Sequence, residues 1–361
     1  MDIKNITWKL LEKWKNIKQW FEDKTNYMLI FEYIKNAKII SVIWHDKIDG
    51  DSLGSVLAVS KWLKNKFPDK QIISYTNRKP SSVFDFLNPE IQFGEDLKLD
   101  ENTDLFIILD SANLDRLWNL YTNNKELIET KDIINIDHHI SNTNFWKVNI
   151  VEWNSPATAQ IIYKILTTLE GNINNLINQT KNWFNQDIST YLLIWILTDT
   201  NNFTIPLADD KTLEIASNLI KKWADKQLII DKIFQSKSVE QLKLQGLVLN
   251  RIQKIEKDNI ISYFSYYTEE DFIKLWLDPT DSWIWRALVS ILNQIDWADF
   301  VSLWKIKEND NSISFRSKKF DVNSLANKLW WWGHKNAAWA SLKESIKPEE
   351  IENKIKELIN N

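Results

Sequence analysis

The chain has 361 residues, of which 44% are hydrophobic and 26% charged, the composition of a globular protein long enough for two domains. It contains no cysteine, which excludes a disulfide framework and a thiolate zinc site. Its formal charge of −4 argues against long duplex nucleic acid as a partner, because proteins that track such polymers carry basic surfaces. If the substrate is nucleic acid, a short one is easier to accept.

Residues 1–37 predict an amphipathic helical extension that packs on the following domain, because Ile3, Ile6 and Leu10 recur at helical spacing. The start of the chain is charged throughout and lacks the apolar centre of a secretory signal. No stretch of the sequence approaches the roughly 20 apolar residues that a membrane helix needs. We therefore expect a cytoplasmic protein with no membrane partner.

Residues 38–204 predict an α/β domain around a doubly wound parallel sheet. Four short apolar runs alternate with helix-sized segments, at 38–44, 71–75, 104–109 and 132–136. Such runs are typical of buried parallel strands in βαβ units. Open α/β sheets bind ligands at the carboxyl ends of their strands, so the residues that follow each run are the first candidates for chemistry.

The remaining sequence predicts further helices and a second, smaller α/β domain. One helix should begin at Ser155-Pro156, with an N-cap and a first-turn proline, and end at Gly171. The segment 205–255 is helical and charged, and we interpret it as a connector. Residues 256–361 predict strands with helices between and after them, in a mixed sheet. The strand-like segments are 260–267, 298–307 and 312–317.

The counts of tryptophan and glycine are unusual. There are 20 tryptophans and 6 glycines, and the two types together make up about 7% of the chain, the usual share of glycine alone. Trp330, Trp331 and Trp332 stand in a row before Gly333 and His334, which is difficult to pack but ordinary if the three are glycines. We hypothesise that many tryptophans are UGA codons that the source reads as glycine, which the abundance of Ile, Asn and Lys, typical of an AT-rich genome, supports.

The alternative explanation of the tryptophans is an aromatic surface that stacks bases, as in single-strand binders. Stacking surfaces do not place three indoles in succession before a histidine. Inspection of the codons decides between the two explanations, because UGG at Trp330, Trp331 and Trp332 would contradict recoding.

Histidines and aspartates collect where the predicted strands and one helix end. They are His45, Asp49 and Asp51 after the first run, Asp110 after the third, Asp137, His138 and His139 after the fourth, and Asp199 after an apolar helix. A single histidine or strand-end aspartate is usually structural, for example as a helix N-cap. All four histidines of the chain, however, fall in such motifs, the fourth being His334. The joint pattern predicts a metal site.

Imidazole and carboxylate ligands together suit divalent first-row metals. We expect two Mn²⁺ ions, with Mg²⁺ or Co²⁺ as alternatives. Two such ions about 3.5–4 Å apart can bind a phosphate, generate hydroxide and stabilise the leaving oxygen. The pattern therefore predicts a phosphoester hydrolase.

Four segments resemble, in order and spacing, the motifs of the DHH phosphoesterases. They are HDKIDGDSLGS (45–55), LDSANLDR (109–116), IDHHISN (136–142) and ILTDTNNF (196–203). Residues 314–341 resemble the signature of the DHH-associated C-terminal domain, whose glycine-rich loop ends in a histidine. That family favours glycine at Trp330–Trp332 and Trp339 and a small residue at Trp44 and Trp195. Ile48 departs from the pattern, because the family usually has proline there.

The resemblance implies a ligand set for two ions. His45, Asp49 and Asp110 would hold the first ion, and Asp51, Asp110, His138 and Asp199 the second, with Asp110 bridging. The implied catalytic residues are Asp110, Asp137, which would orient an imidazole, and His139, which would contact the substrate phosphate. A water or hydroxide between the ions would be the nucleophile. In the second domain, Arg316 and His334 would bind substrate phosphate with the loop at Trp331, Trp332 and Gly333.

The compact two-domain length resembles the nanoRNase branch of the family. This implies hydrolysis of two- to five-nucleotide RNAs and, as a second reaction, removal of the 3′-phosphate of 3′-phosphoadenosine 5′-phosphate. A cyclic-dinucleotide phosphodiesterase, or one for the linear product, is the first alternative, and a RecJ-like single-strand exonuclease the second. The alternative outside the enzymes is an inactive nucleotide-binding module. The resemblance also implies a homodimer.

Overall fold

The computed structural model describes the backbone of residues 26–44, 50–144, 146–177, 184–279, 281–308, 311–331 and 333–360. Within these ranges the side chains at 50–52, 172–177, 282 and 334 are not described. The chain forms two compact units, Met1–Phe234 and Gln235–Asn361. The boundary between the units lies inside 205–255, the segment interpreted above as a connector. Of the extension expected at 1–37, residues 26–36 form helix α1 and residues 1–25 lie outside the description.

The first unit contains a six-stranded sheet in which every neighbouring pair is parallel, in the order β3-β2-β1-β4-β5-β6. Its strands are β1 (Ile39–Trp44), β2 (Gln71–Thr76), β3 (Gln92–Phe93), β4 (Leu105–Leu109), β5 (Asp132–Asp137) and β6 (Val148–Val151). The four predicted strands and the parallel sheet are confirmed. The sequence missed β3 and β6, two edge strands too short for a continuous apolar run.

Helices cover both faces of this sheet, as a doubly wound fold requires. They are α1, α2 (Gly50–Lys66), α3 (Asn119–Thr122), α4 (Lys125–Thr130), α5 (Thr158–Ile177), α6 (Gln186–Asp199), α7 (Asp210–Lys221) and α8 (Lys226–Ile229). Ile107 and Ile134 face the side of α1, α2 and α5. Phe106, Ile108 and Ile133 face the side of α3 and α4. The alternation of side chains along each strand thus buries both faces.

Helix α5 corrects one sequence prediction. Gly171 does not end the helix, which runs from Thr158 to Ile177. A Cβ at Gly171 would meet no atom among the described residues within 4 Å, so this glycine lies on an open side of the helix and not at a close contact. A glycine inside a helix reduces stability by roughly 0.5–1 kcal/mol relative to alanine but does not by itself stop it.

The second unit contains a six-stranded mixed sheet in the order β11-β12-β10-β9-β8-β7, in which only β8 and β9 are parallel to each other. Its strands are β7 (Gln253–Lys257), β8 (Ile260–Thr268), β9 (Phe300–Ile306), β10 (Asn311–Arg316), β11 (Gly333–His334) and β12 (Ala337–Leu342). Its helices are α9 (Val239–Asn250), α10 (Glu269–Lys274), α11 (Ser282–Leu292), α12 (Val322–Asn327) and α13 (Ile351–Asn360). The predicted smaller α/β domain with a mixed sheet is confirmed.

The two faces of the second sheet are also covered. Helices α9, α10 and α11 bury one apolar cluster, to which Val301 and Leu303 of β9 contribute. Helices α12 and α13 bury another, which includes Trp304 and Ile313. In the described part of both units, no helix is long and apolar enough to cross a membrane.

Five tryptophans adopt a backbone conformation that favours glycine. Trp118, Trp223, Trp276, Trp297 and Trp330 have φ of 48°, 70°, 56°, 60° and 64°. All five are exposed, from 51% for Trp118 to 95% for Trp330. Elsewhere in the described ranges, the non-glycine residues at positive φ are Asn or Asp, which tolerate it, apart from one phenylalanine.

Three of these tryptophans close helices at the position where glycine is normal. After α7, the Ala224 amide donates to the Leu219 carbonyl across Trp223. In the same way, the Leu277 amide donates to the Phe272 carbonyl across Trp276. The Trp331 amide donates to the Ala326 carbonyl across Trp330. This is the Schellman motif, whose left-handed residue is usually glycine.

Trp118 has a backbone conformation that favours glycine even more strongly. Its φ of 48° and ψ of −130° belong to a turn conformation in which a Cβ is strongly disfavoured. The backbone therefore supports the glycine hypothesis at Trp118, Trp223, Trp276, Trp297 and Trp330.

Two buried tryptophans are not at positive φ, and they support the glycine hypothesis through their side chains. Trp44 and Trp195 are fully buried, and among the described residues no acceptor lies within hydrogen-bonding distance of either indole N–H. An unpaired buried donor destabilises the fold by about 1–3 kcal/mol. The Trp195 indole also fills the space above Gly54, where an added Cβ would lie 0.8 Å from its Nε1. A small residue at 195 would let α6 approach this glycine of α2.

We expect Trp223→Gly, Trp276→Gly and Trp330→Gly each to raise the free energy of unfolding by about 0.5–1 kcal/mol, because relief of left-handed strain exceeds the backbone entropy of glycine. Trp153→Gly is the matched control, since Trp153 is also exposed (65%) but not at positive φ. The control should lose stability. Denaturant unfolding measures all four, and destabilisation by all four alike would contradict the interpretation.

Candidate metal centre

Asp110 follows β4 directly and is almost fully buried. Its amide donates to the Ile136 carbonyl at 2.9 Å, which extends the pairing with β5 by one residue. Its φ of 55° then turns the chain away from the strand. The hydroxyl of Thr158, at the start of α5, donates to Asp110 Oδ1 at 3.0 Å. A buried carboxylate is thus held at the carboxyl edge of the sheet in a conformation that aspartate tolerates better than most residues.

His138 follows β5 and has a defined hydrogen-bonding pattern. Its Nδ1 lies 3.1 Å from the Ser155 carbonyl oxygen. A carbonyl can only accept, so Nδ1 carries a proton and donates to it. The other ring nitrogen, Nε2, lies 3.5 Å from Asp110 Oδ1 and 3.9 Å from Asp199 Oδ2. The bond to Ser155 therefore directs Nε2 toward two carboxylates.

His139 is paired with Asp137, the last residue of β5. His139 Nδ1 lies 2.6 Å from Asp137 Oδ1, and Asn142 Nδ2 donates to Asp137 Oδ2 at 2.7 Å. Burial would raise the pKa of Asp137, but the hydrogen bond and charge of His139 and the bond from Asn142 outweigh it and lower the pKa to about 2. Asp137 therefore remains a carboxylate that accepts from the imidazole, as predicted for a residue that orients a histidine ring.

Asp110, His138 and His139 form one cluster, with a ligand atom from each lying within 4.8 Å of the others. Asp199, the last residue of α6, adds a carboxylate on the His138 side. Carboxylate oxygens and a neutral imidazole suit a divalent first-row cation, and a cation would also neutralise the buried charge. The residues present therefore fit the metal that the sequence predicts.

The other predicted ligands are placed less fully. His45 and Asp49 lie outside the described residues, and Asp51 is described only as a backbone position in the first turn of α2. The complete ligand set, and the assignment of ligands to two separate ions, therefore stays a prediction.

The predicted phosphate-binding residues belong to the second unit. Arg316 ends β10, and burial and the charge of Arg286 lower the pKa of its guanidinium to about 10. Among the described residues, no carboxylate forms an ion pair with it, and its Nη1 donates to the Phe315 carbonyl at 2.8 Å. A half-buried guanidinium without an ion-paired carboxylate is a candidate site for an anion.

The loop beside it is described in part. Gly333 begins β11, and its amide donates to Asn323 Oδ1 at 2.8 Å. The Trp331 indole donates to the Ser341 carbonyl at 3.0 Å and packs edge-on against Trp339, with ring centroids 4.4 Å apart. Trp332 lies outside the described residues and the His334 side chain is not described, so their predicted contact with substrate phosphate stays a prediction.

Three polar contacts of the centre were missed in the sequence analysis. They are the Thr158 hydroxyl on Asp110, the Ser155 carbonyl on His138 and the Asn142 amide on Asp137. Ser155 acts through its main chain, which side-chain identity does not reveal. Asn142 did carry a signal, since it ends the segment IDHHISN.

Comparison with known proteins agrees with this geometry. The profile of the DHH family, N-terminal domain, matches residues 39–196. The bifunctional oligoribonuclease and PAP phosphatase NrnA of Bacillus subtilis is 24% identical over 303 residues, 82% of this chain and 87% of that protein. The probable bifunctional oligoribonuclease and PAP phosphatase NrnA of Streptococcus mutans is 25% identical over 339 residues, 93% of this chain and 99% of that protein.

One solved structure shares the fold across both units. An exopolyphosphatase-related protein from Bacteroides fragilis has a TM-score of 0.80 and 22% identity, covering 93% of this chain and 96% of that one. The parallel sheet and its strand-end cluster of Asp110, His138 and His139 therefore lie in the part of the chain that matches the DHH family, N-terminal domain.

We expect Asp110→Asn to weaken Mn²⁺ binding at least tenfold, because it removes the carboxylate charge nearest to His138 Nε2. Asp104→Asn is the control at the opposite end of the same strand, where the carboxylate accepts from the Lys38 and Ile39 amides. Titration calorimetry measures both. Equal Mn²⁺ affinity in the two variants would exclude Asp110 as a ligand.

Proposed function

We propose that this protein is a cytoplasmic, metal-dependent hydrolase that cuts oligoribonucleotides of two to five residues to mononucleotides and converts 3′-phosphoadenosine 5′-phosphate to AMP. The observation that carries the proposal is the convergence of His138 Nε2, Asp110 Oδ1 and Asp199 Oδ2 at one edge of the sheet. The names of the B. subtilis and S. mutans relatives supply the substrate class. Similarity over more than 80% of the chain supports the extension to this protein.

Two Mn²⁺ ions are the proposed cofactor, with Mg²⁺ or Co²⁺ as alternatives. His45, Asp49 and Asp110 would hold one ion, and Asp51, Asp110, His138 and Asp199 the other. Bound divalent ions supply a hydroxide nucleophile and a Lewis acid for the phosphoryl oxygens. The protein's part is to direct His138 Nε2 toward Asp110 and Asp199 through the hydrogen bond between His138 Nδ1 and the Ser155 carbonyl.

His139 is proposed to contact the substrate phosphate. The hydrogen bond that its Nδ1 donates to Asp137 maintains the orientation of the ring. Because the pKa of Asp137 is lowered to about 2, this acceptor stays charged throughout the neutral range.

The second unit is proposed to bind the part of the substrate away from the bond that is cut. Arg316 offers a guanidinium that matches a phosphate with two parallel hydrogen bonds. His334 and the amides at Trp331, Trp332 and Gly333 are proposed to form an anion-binding nest beside it. A domain division at 38–204, 205–255 and 256–361 and a homodimer are further parts of the proposal.

The first test is hydrolysis of 5′-phosphorylated diadenylate with Mn²⁺. The protein is made with glycine at every tryptophan position that a UGA codon encodes, which we call the glycine form. We expect AMP release that disappears in Asp110→Ala and is weaker in the chain as printed, because its indoles occupy the loop at Trp330–Trp332. Failure of the folded, metal-loaded glycine form to release AMP would contradict the nuclease proposal.

The same assay separates the alternatives. Cleavage of cyclic dinucleotides without cleavage of diadenylate would favour a cyclic-dinucleotide phosphodiesterase. Stepwise degradation of long single-stranded DNA would favour a RecJ-like exonuclease. Folded protein that binds no manganese and cleaves nothing would be an inactive nucleotide-binding module.

Arg316→Lys should raise KM for diadenylate roughly tenfold or more, because a charge-assisted hydrogen bond contributes about 1.5–3 kcal/mol and lysine cannot reproduce the planar fork. Lys318→Gln is the control, since it removes an exposed positive charge two residues away. Steady-state kinetics measures both, and equal KM values for Arg316→Lys and the parent would exclude Arg316 from substrate binding.

A further inference from the structure

Asn142 occupies the centre of a side-chain network behind the metal centre. Its Nδ2 donates to Asp137 Oδ2 at 2.7 Å and to Asn135 Oδ1 at 2.8 Å. Its Oδ1 accepts from the Asn144 amide at 2.8 Å. Each of the two amide hydrogens and the side-chain oxygen of Asn142 therefore takes part in a short hydrogen bond.

These contacts fix the orientation of the Asn142 amide. If its oxygen and nitrogen were exchanged, the oxygen would face both the Asp137 carboxylate and the Asn135 carbonyl oxygen, and the NH₂ group would face the Asn144 amide hydrogen. Each of these contacts would be repulsive. Asn142 can therefore act toward Asp137 only as a donor.

The network also reaches the loop that carries Asp110. Asn135 is fully buried in β5, and its Nδ2 donates to the Ser111 carbonyl at 3.0 Å. Ser111 directly follows Asp110 in the chain. The residues that hold Asp137 from behind are thus hydrogen-bonded to the turn that carries the central carboxylate.

Asp137 transmits this restraint to His139. With Oδ1 bonded to His139 Nδ1 and Oδ2 bonded to Asn142, the carboxylate is held on both sides in a fully buried position. Rotation of the carboxylate would break one of two charge-assisted bonds, each stronger than a neutral one. The direction in which Asp137 accepts, and hence the orientation of the His139 ring, therefore depends on Asn142.

We propose that Asn142 is a positioning residue for the hydrolysis, whose amide holds the Asp137 carboxylate so that its Oδ1 accepts from His139 Nδ1 and fixes the orientation of the His139 ring. The inference rests on the proposed function for its effect on rate. Its structural part concerns the metal-free protein and stands apart from activity. Asn142 acts through Asp137 and need not touch the substrate.

The test compares Asn142→Leu with Asn124→Leu in the glycine form. Asn124 is a matched control in the same unit, because it is buried, donates to the Leu97 and Leu120 carbonyls and accepts from the Leu99 amide. Asn124→Leu removes two donated bonds and one accepted bond. Asn142→Leu removes one accepted bond and three donated bonds, of which the one to the Ser111 carbonyl is the longest at 3.3 Å, at the same change of side-chain volume. Asn142→Ala and Asn124→Ala form a second pair for the case that a leucine variant does not fold.

The first readout is the ¹⁵N chemical shift of the histidine ring nitrogens in metal-free protein, with His139 assigned through His139→Gln. We expect the Nδ1 shift of His139 to be the same in the parent and in Asn124→Leu and to change in Asn142→Leu, because the carboxylate that accepts from Nδ1 is no longer held in place. Unchanged His139 ring shifts in folded Asn142→Leu or Asn142→Ala would overturn the proposal.

The second readout is kcat/KM for diadenylate with Mn²⁺. Asn142→Leu should lower it roughly ten- to hundredfold, the range for partners behind metal-site ligands, while Asn124→Leu leaves it within twofold of the parent. In a His139→Ala background, Asn142→Leu should add less than a twofold loss, because the residue through which it acts is gone. Additive losses would contradict the proposal. If the parent hydrolyses nothing while the ring shifts behave as expected, the proposed function fails and the positioning role stands.

Discussion

The buried carboxylate of Asp110 is the group on which the arrangement of the centre depends. It lies at the carboxyl end of β4, between the neighbours β1 and β5, with a hydroxyl from α5 on one oxygen. A carboxylate in this position needs a positive charge, since burial of an unpaired ion is costly. The nearest ring nitrogen is His138 Nε2, which faces Asp110 because Nδ1 on the other side of the ring donates to the Ser155 carbonyl. A divalent cation bound between Asp110 Oδ1 and His138 Nε2 would supply the charge that the carboxylate needs.

Backbone strain occurs in this chain in two different settings, one buried and one exposed. Asp110 adopts positive φ in a buried site where its amide, its side chain and the following residue are all hydrogen-bonded, so the fold determines the strained conformation and uses it. Trp223, Trp276 and Trp330 adopt positive φ at exposed helix ends, where glycine is the ordinary residue. Strain with supporting contacts indicates function, whereas strain in an exposed cap indicates that the residue itself is unexpected.

The sequence predicted what depends on local pattern. Apolar runs of five to seven residues located β1, β2, β4 and β5, because parallel strands covered on both faces exclude polar side chains. The order of histidines and aspartates after those runs located Asp110, Asp137 and His138, because the carboxyl ends of parallel strands share one edge. Edge strand β3 escaped prediction because its two residues are exposed and carry no periodic signal.

What the sequence could not predict is the layer of partners behind the centre. The acceptor for His138 is a main-chain carbonyl at residue 155, which any amino acid would supply. Thr158 and Asp110 lie 48 residues apart, and their contact follows from how α5 packs on the sheet. The continuation of α5 past Gly171 was likewise decided by packing, because a single glycine is a weak signal that tertiary contacts override.

The two units have opposite electrostatic needs. In the first unit, Asp110, Asp137 and Asp199 bring three carboxylates close to imidazole nitrogens, an arrangement that a divalent cation would complete. In the described part of the second unit, Arg316 forms no ion pair with a carboxylate, and Arg286 adds a further positive charge nearby, an arrangement that an anion would complete. Each unit, taken by itself, therefore suits a ligand of a different charge, a cation in the first and an anion in the second.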